Sequence, residues 1–143
     1  MDTGRPVMFG ALITLALFFQ SGCGGLKGEF ALRQPLADEY RRVAGVPEFP
    51  ADGHVDWVYA FREVKDVHSI GVILMKREIV WVDVSARTER IDPAQRVIYG
   101  AIEGLARGRY RLLIAENGKI VDEMEFVVFD DSPDEEAGGI EEK

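Results

Sequence analysis

The sequence is poor in the residues that build covalent, metal or nucleotide sites. Its 143 residues include one cysteine, Cys23, and two histidines, His54 and His68. A single cysteine cannot form an intramolecular disulfide or a zinc cluster of several thiolates, and two isolated histidines without a third ligand make a poor metal site. A nucleophile elbow, a Gly-rich phosphate loop, a His-Glu-x-x-His pair and a Cys-x-x-Cys pair are all missing. We therefore predict no enzyme activity, no catalytic residue, no metal and no cofactor.

Basic residues are outnumbered as well. The chain has 17 Lys and Arg against 25 Asp and Glu, a net charge of −8. Nucleic-acid binding calls for a basic face, so we do not expect a nucleic-acid partner. Residues 130–143 carry seven of the acids, one lysine and few bulky apolar side chains. Such a segment buries too little surface to offset its ordering entropy, which predicts an acidic disordered tail. A calcium-binding tail is less favoured, because the acids do not have the spacing of an EF-hand loop.

One apolar run stands near the start of the chain. It extends over residues 7–19 after Arg5, and only Gly10 and Thr14 interrupt it. A helix of this length measures about 20 Å, too short for a bilayer core of about 30 Å but typical of the apolar region of a signal peptide. Residues 1–22 are therefore predicted to be a signal peptide that is removed.

The residues after this run, Ser21, Gly22 and Cys23, resemble the lipobox of bacterial lipoproteins. Gln20 differs from the aliphatic residue that is usual there. The resemblance implies that Cys23 is lipidated and becomes the mature N-terminus, so that two or more hydrocarbon chains anchor the protein to a membrane. By the same resemblance, lipoproteins kept at the inner membrane of diderm bacteria often have an aspartate directly after the cysteine. Gly24 at this position therefore implies the outer membrane. The alternative is an ordinary secretory signal, cut near Gly22 or Gly25.

Residues 23–53 are predicted to be a lipid-anchored tether with a short helix. Pro35 suits the first helical position, Arg41 and Arg42 suit the last turn, and Gly45 suits the stop. One face of this helix would dock on the domain through positions spaced i, i+4 and i+7. These positions are Leu36, Tyr40 and Val43.

From His54 to Phe129 apolar residues recur with a period of two, which is typical of strands with one buried face. Asn117-Gly118 suits a type I′ hairpin turn, because both central residues of that turn need positive φ. Six or seven short strands between turn signals predict an all-β fold. We expect an antiparallel β-sandwich of about seven strands over residues 54–129.

The stretch from Leu105 to Val128 resembles the last two strands of bacterial immunoglobulin-like and fibronectin-III-like domains. In those domains a leucine caps the core, a glycine turns the corner, and a tyrosine donates a hydrogen bond from its hydroxyl back across the corner. Leu105, Gly108 and Tyr110 match these roles. A transthyretin-like sandwich of eight strands is an alternative topology.

Three residues are candidates for contact with a partner or ligand: Trp81, Arg109 and Arg111. If Val80, Val82 and Val84 face the core, Trp81 lies on the outer face as a possible interface anchor; the alternative is a packed Trp81. If Tyr110 points inward, the two arginines point outward, where pairing with glutamates on neighbouring strands is favoured over a free anion site.

These features favour a lipid-anchored interaction module of the cell envelope, exported to the periplasmic face or the surface. Its expected partner is an envelope protein. The alternative is a carbohydrate- or small-ligand-binding lipoprotein that uses Trp81, and an enzyme without a recognisable motif is the least favoured reading.

Overall fold

The computed structural model describes residues 25–130, and in this part of the chain every regular element is a β-strand. The predicted all-β class is confirmed. The signal peptide, Cys23 and the tail beyond Asp130 lie outside the described residues. The strands are β1 (Gly28–Arg33), β2 (Arg41–Arg42), β3 (Glu48–Pro50), β4 (His54–Phe61), β5 (His68–Arg77), β6 (Trp81–Ile91), β7 (Val97–Glu103), β8 (Gly108–Glu116) and β9 (Lys119–Phe129).

The strands form two sheets with the orders β2-β1-β4-β7 and β3-β9-β8-β5-β6. All neighbouring strands are antiparallel except β3 and β9, which pair in parallel. The inward-facing side chains of both sheets belong to one apolar cluster, in which Tyr59, Ile70 and Phe126 are fully buried. Alternate residues of each strand supply this cluster, as the period of two in the sequence predicts.

The predicted helix between Pro35 and Val43 is wrong. Leu36 has a φ of +67° and a fully exposed side chain, and Arg41 and Arg42 form β2 against β1. An isolated helix of this length is only marginally stable in water. The observed strands are favoured instead, because pairing of β1 with β4 buries Phe30 in the core.

The region predicted as a tether contributes three strands to the two sheets, so the described strands number nine instead of about seven. Residues 54–129 supply only six of them. The two-sheet domain therefore begins at Gly28, far upstream of the predicted boundary at residue 54. The short β2 and β3 carry weak alternation patterns, because a strand of two or three residues shows too little periodicity to detect.

The corner between β7 and β8 brings Leu105, Gly108 and Tyr110 close together in the chain. The hydroxyl of the buried Tyr110 donates a hydrogen bond to the carbonyl of Ala106 over 2.7 Å. Leu105 packs partly buried against the core, and Gly108 has a φ of +156°. At the β8–β9 turn, Asn117 and Gly118 both have positive φ, as a type I′ turn requires.

Strand β6 lies at the edge of its sheet and does not bury its valines. Direct pairing with β5 places Ser85, Arg87 and Glu89 beside the inward-facing Leu74, Val72 and Ile70. Val80, Val82 and Val84 are exposed, and a bulge shifts the register between Leu74 and Met75. The expected burial of these valines is therefore not met. Beyond the bulge Val82 pairs with Lys76, on the same face as Leu74, but it remains 46% exposed at this end of the strand.

Candidate functional site

The longest run of exposed large apolar residues in the described part of the chain follows the hairpin of β5 and β6. Ile79 and Val80 form its tip and are 92% and 64% exposed, and Val82 and Val84 on β6 are 46% and 47% exposed. No described strand pairs with the far side of β6. Contiguous exposed apolar residues on an unpaired strand edge are a frequent mark of an interaction surface. We call residues 79–84 the β6 edge.

Trp81 lies on the outer face of its sheet, opposite Arg77 in the β5–β6 pair. It is partly buried, with the guanidinium carbons of Arg111 and Arg77 at 4.5 and 5.6 Å from its ring centroid. Arg111 also donates to the sulfur of Met75 over 3.4 Å. Two cation–π contacts hold the indole in place and cover part of its ring. Trp81 is thus a fixed residue within the β6 edge and not an open aromatic platform.

The two arginines on β8 have carboxylate neighbours on β9. The ion pairs join Arg109 to Glu125 over 3.8 Å and Arg111 to Glu123 over 3.7 Å. Tyr110 between them points inward and is buried, so both arginines project from the outer face. The Nε atom of Arg111 is buried without a hydrogen-bond partner among the described residues. These pairs reduce the positive charge that a free anion site on this face would need.

His54 is the centre of an ion cluster on the outer face of the other sheet. Its Nδ1 lies 2.6 Å from Glu103 and its Nε2 lies 3.0 Å from Asp56, which also accepts from Arg33 over 2.8 Å. The hydrogen bond with Glu103, then that with Asp56, raises the pKa of His54. The hydrogen bond from Arg33, then that with His54, lowers the pKa of Asp56. The cluster ties β1, β4 and β7 together, and sequence reasoning missed it because the three strands meet only in the sheet.

His68, the other histidine, pairs with Glu116 over 2.5 Å at the opposite end of the second sheet from the hairpin tip. Among residues 25–130 no group of three or more His, Cys, Asp or Glu side chains has an arrangement that would hold a metal ion. Within the same residues there is also no helix with the length and apolar character to cross a bilayer.

Two clefts open between the sheets, one at each side of the domain. A cleft of about 450 Å³ lies between β9 and the β1–β2 pair, with Phe30 and Met124 in its walls and Glu29, Asp122 and Arg42 among its polar groups. A second cleft of about 270 Å³ lies between β6 and β7, with Trp57 and Leu112 in its walls and Ser85 and Arg87 at its polar side. Both depend on strand register, which the sequence pattern does not reveal.

The chain matches no established family profile and no curated protein. A crystal structure described as a "Putative Lipoprotein from Bacillus anthracis" is similar to it with 14% sequence identity and a TM-score of 0.42. The similarity covers 62% of this chain and 71% of that chain. Similarity at this level carries no argument about function.

Proposed function

We propose that this protein is an exported, lipid-anchored interaction module that binds a partner protein of the cell envelope through the β6 edge. In this proposal the two sheets form an immunoglobulin-like sandwich, Cys23 carries the lipid, and the protein has no catalytic role. The observation that carries the proposal is the exposed apolar surface of Ile79 and Val80 at the hairpin tip and of Val82 and Val84 on β6, an edge strand whose far side pairs with no described strand. Exposed main-chain groups of such a strand can pair with an added strand, while its side chains select the partner.

The place of the β6 edge in the domain fits an anchored role. Gly25 and Leu26 lie beside His68 and Glu116, at the end of β5 opposite its hairpin with β6. The ten residues of β5 extend over about 30 Å. Gly28, where β1 begins, follows Cys23 by five residues, which reach at most about 17 Å. A lipid on Cys23 would thus hold one end of the domain near the membrane, and an upright domain would present the hairpin tip away from it.

The chemistry of the surface favours a protein over a polysaccharide. Sugar binding commonly uses an uncovered aromatic face, and the Trp81 ring already has Arg111 at 4.5 Å. The β6 edge instead offers aliphatic side chains and free main-chain groups, which suit an extended apolar segment of a partner. The bulge opposite Leu74 and Met75 bends the strand, so it disfavours indiscriminate edge pairing.

Site-specific photo-cross-linking in cells tests the partner surface. A photoreactive amino acid at Val82 should give a cross-linked adduct of one constant mass. The matched control is Ile120 on β9, which is also exposed (56%) but lies at the other end of the domain. We expect no such adduct from Ile120. Equal adducts from both positions, or none from Val82, would contradict the proposal.

Replacing Cys23 by serine tests the anchor separately. The Cys23→Ser variant should move from the membrane fraction to the soluble exported fraction, because it loses the sulfur that carries the lipid. It should also migrate differently on a denaturing gel. Unchanged fractionation and unchanged migration would show that Cys23 is not lipidated, without bearing on the β6 edge.

The alternative role, binding of a carbohydrate or small ligand at Trp81, has its own test. Glycan titration followed by tryptophan fluorescence should give no saturable change if the β6 edge binds protein. A saturable change that Trp81→Ala abolishes would favour the alternative.

A further inference from the structure

The cleft between β6 and β7 has an apolar interior and a polar rim. Its volume is about 270 Å³, which is the volume that about nine water molecules occupy in liquid water. Side chains that line it include those of Trp57, Val72, Leu74, Ile102 and Leu112. Ser85 and Arg87 supply the polar groups from β6. Apolar walls with a few fixed polar groups are the usual composition of a small-molecule site.

The cleft exists because small and polar residues occupy the inward positions of the edge strand β6. On β6, Ser85 pairs with Leu74 and Arg87 pairs with Val72, so neither position carries a large apolar side chain. On β7, Ala101 and Ile102 line the cleft. The core thus ends in an opening at this side of the domain and not in a closed apolar wall.

Arg87 is held at this opening by three contacts. Its Nη2 donates to the carbonyl oxygen of Tyr99 over 2.5 Å, and its Nε lies 3.0 Å from Glu89. Its guanidinium carbon lies 5.5 Å from the centroid of the Trp57 ring. A guanidinium has five N–H donors, and the hydrogen bond to Tyr99 uses one of them. The group is therefore fixed in position and retains donors for a ligand.

We propose that this cleft binds a short-chain monocarboxylate, with its alkyl chain against Leu74 and Leu112 and its carboxylate on Arg87. A carboxylate matches the planar donors of a guanidinium, and the charge-assisted bond is stronger than a neutral one. Glu89 at 3.0 Å offsets part of the Arg87 charge, as the glutamates do for Arg109 and Arg111, so the site holds an anion through the remaining N–H donors and favours a monoanion over a dianion such as phosphate. This site is on the inward side of β6 and does not depend on the proposed partner surface.

Fluorescence of Trp57 provides a direct test. The chain has two tryptophans, so a Trp81→Phe background leaves Trp57 as the only reporter. Hexanoate should change the fluorescence of Trp57 saturably, whereas hexan-1-ol and hexylamine should bind at least about tenfold more weakly, because neither carries a negative charge for a charge-assisted bond with Arg87. Arg87→Gln should weaken hexanoate binding about ten- to hundredfold and leave hexan-1-ol binding unchanged.

Arg90→Gln is the matched control, since Arg90 is on the same strand, projects from the other face and is exposed. This variant makes the same change of charge and should retain hexanoate binding. Equal binding of hexanoate, hexan-1-ol and hexylamine, or no saturable change with hexanoate, would overturn the proposal. So would full hexanoate affinity in Arg87→Gln.

A measurement on the unmodified protein keeps the test valid if a variant does not fold. Methyl NMR with added hexanoate should shift Val72, Leu74 and Leu112 together and leave Ile120 unchanged. Shifts spread evenly over these four residues would show non-specific adsorption and contradict the site.

Discussion

Gly100 shows how one small residue permits a large aromatic side chain in the core. It pairs directly with Trp57, and a Cβ at this position would lie 2.4 Å from the indole ring. Trp57 is 2% exposed and packs near Phe30, so an added Cβ would force its ring to shift toward the cleft between β6 and β7. The glycine is therefore required by close approach and not by backbone conformation.

Gly100→Ala should lower the free energy of unfolding by about 1–3 kcal/mol, because overpacking a filled core forces side chains out of their preferred rotamers. Urea denaturation monitored by circular dichroism measures the loss. Gly71→Ala is the control, since a Cβ there meets only Ala115, at 3.7 Å from its carbonyl oxygen and 3.9 Å from its Cβ. This control should be neutral or slightly stabilising. Equal losses in both variants would contradict the role of Gly100.

His54 makes the stability of the fold depend on pH. Its pKa is raised in the folded state by Glu103 and Asp56, with Arg33 as the other charged group of the cluster. The stabilising contribution is fully present below the unfolded pKa of about 6.5 and is lost as the pH rises through the raised pKa.

The urea midpoint of the protein should therefore fall between pH 6 and pH 8.5, and His54→Gln should reduce that fall. Because His54 is half exposed, solvent screening keeps the effect small. NMR titration of the His54 ring provides an independent check, and a midpoint at or below the ordinary histidine value would contradict the prediction.

At the scale of the secondary-structure element, the two buried tyrosines Tyr110 and Tyr59 differ in the hydrogen bonding of their hydroxyl groups. The Tyr110 hydroxyl fixes the β7–β8 corner through its hydrogen bond to Ala106. The Tyr59 hydroxyl, on β4, has no hydrogen bond of acceptable geometry among the described residues. Burial, and then the charge of Asp122, raises the pKa of Tyr59 well above its ordinary value. Both rings pack in the core, against Phe126 and Phe30 respectively, so only their polar ends differ in role.

Tyr110→Phe should lower the free energy of unfolding by about 1 kcal/mol, since it removes one hydrogen bond and leaves the Ala106 carbonyl without that donor. Tyr59→Phe should be neutral or stabilising, because it removes a buried hydroxyl that gains little from the fold. Urea denaturation of both variants measures the difference. A larger loss from Tyr59→Phe than from Tyr110→Phe would contradict this assignment.

At the scale of the whole molecule, the N-terminal strands β1 to β3 are part of the folded two-sheet domain. Phe30 from β1 and Phe49 from β3 are both buried in the shared core. Every residue of β1 pairs with a residue of β4. Without these strands, β4 becomes an exposed edge with Trp57 and Tyr59 uncovered. The two sheets thus need residues that the sequence pattern alone assigned to a tether.

A fragment of residues 54–130, the predicted sandwich with one further residue, should fail to unfold cooperatively, whereas residues 25–130 should show one cooperative transition. The loss of two buried phenylalanines alone corresponds to about 3–5 kcal/mol for each removed side chain, comparable to the stability of a small domain. Thermal scans and NMR spectra of both fragments test this. A well-dispersed spectrum and cooperative melting of 54–130 would show that β1 to β3 are dispensable.

The sequence by itself determined the all-β class, the Asn117-Gly118 turn and the hydrogen-bonding role that Tyr110 would have at its corner. These features depend on local signals, namely a period of two, positive φ at a turn, and a tyrosine close in sequence to the corner. The lipid anchor at Cys23 also stays a prediction from local sequence. Only the tertiary structure decided which face of β6 turns inward, because a shift of one residue in register reverses every side chain. That register turns Arg87 toward Trp57 at the proposed carboxylate site, and the tertiary structure leaves the valines of the β6 edge exposed at the proposed partner surface.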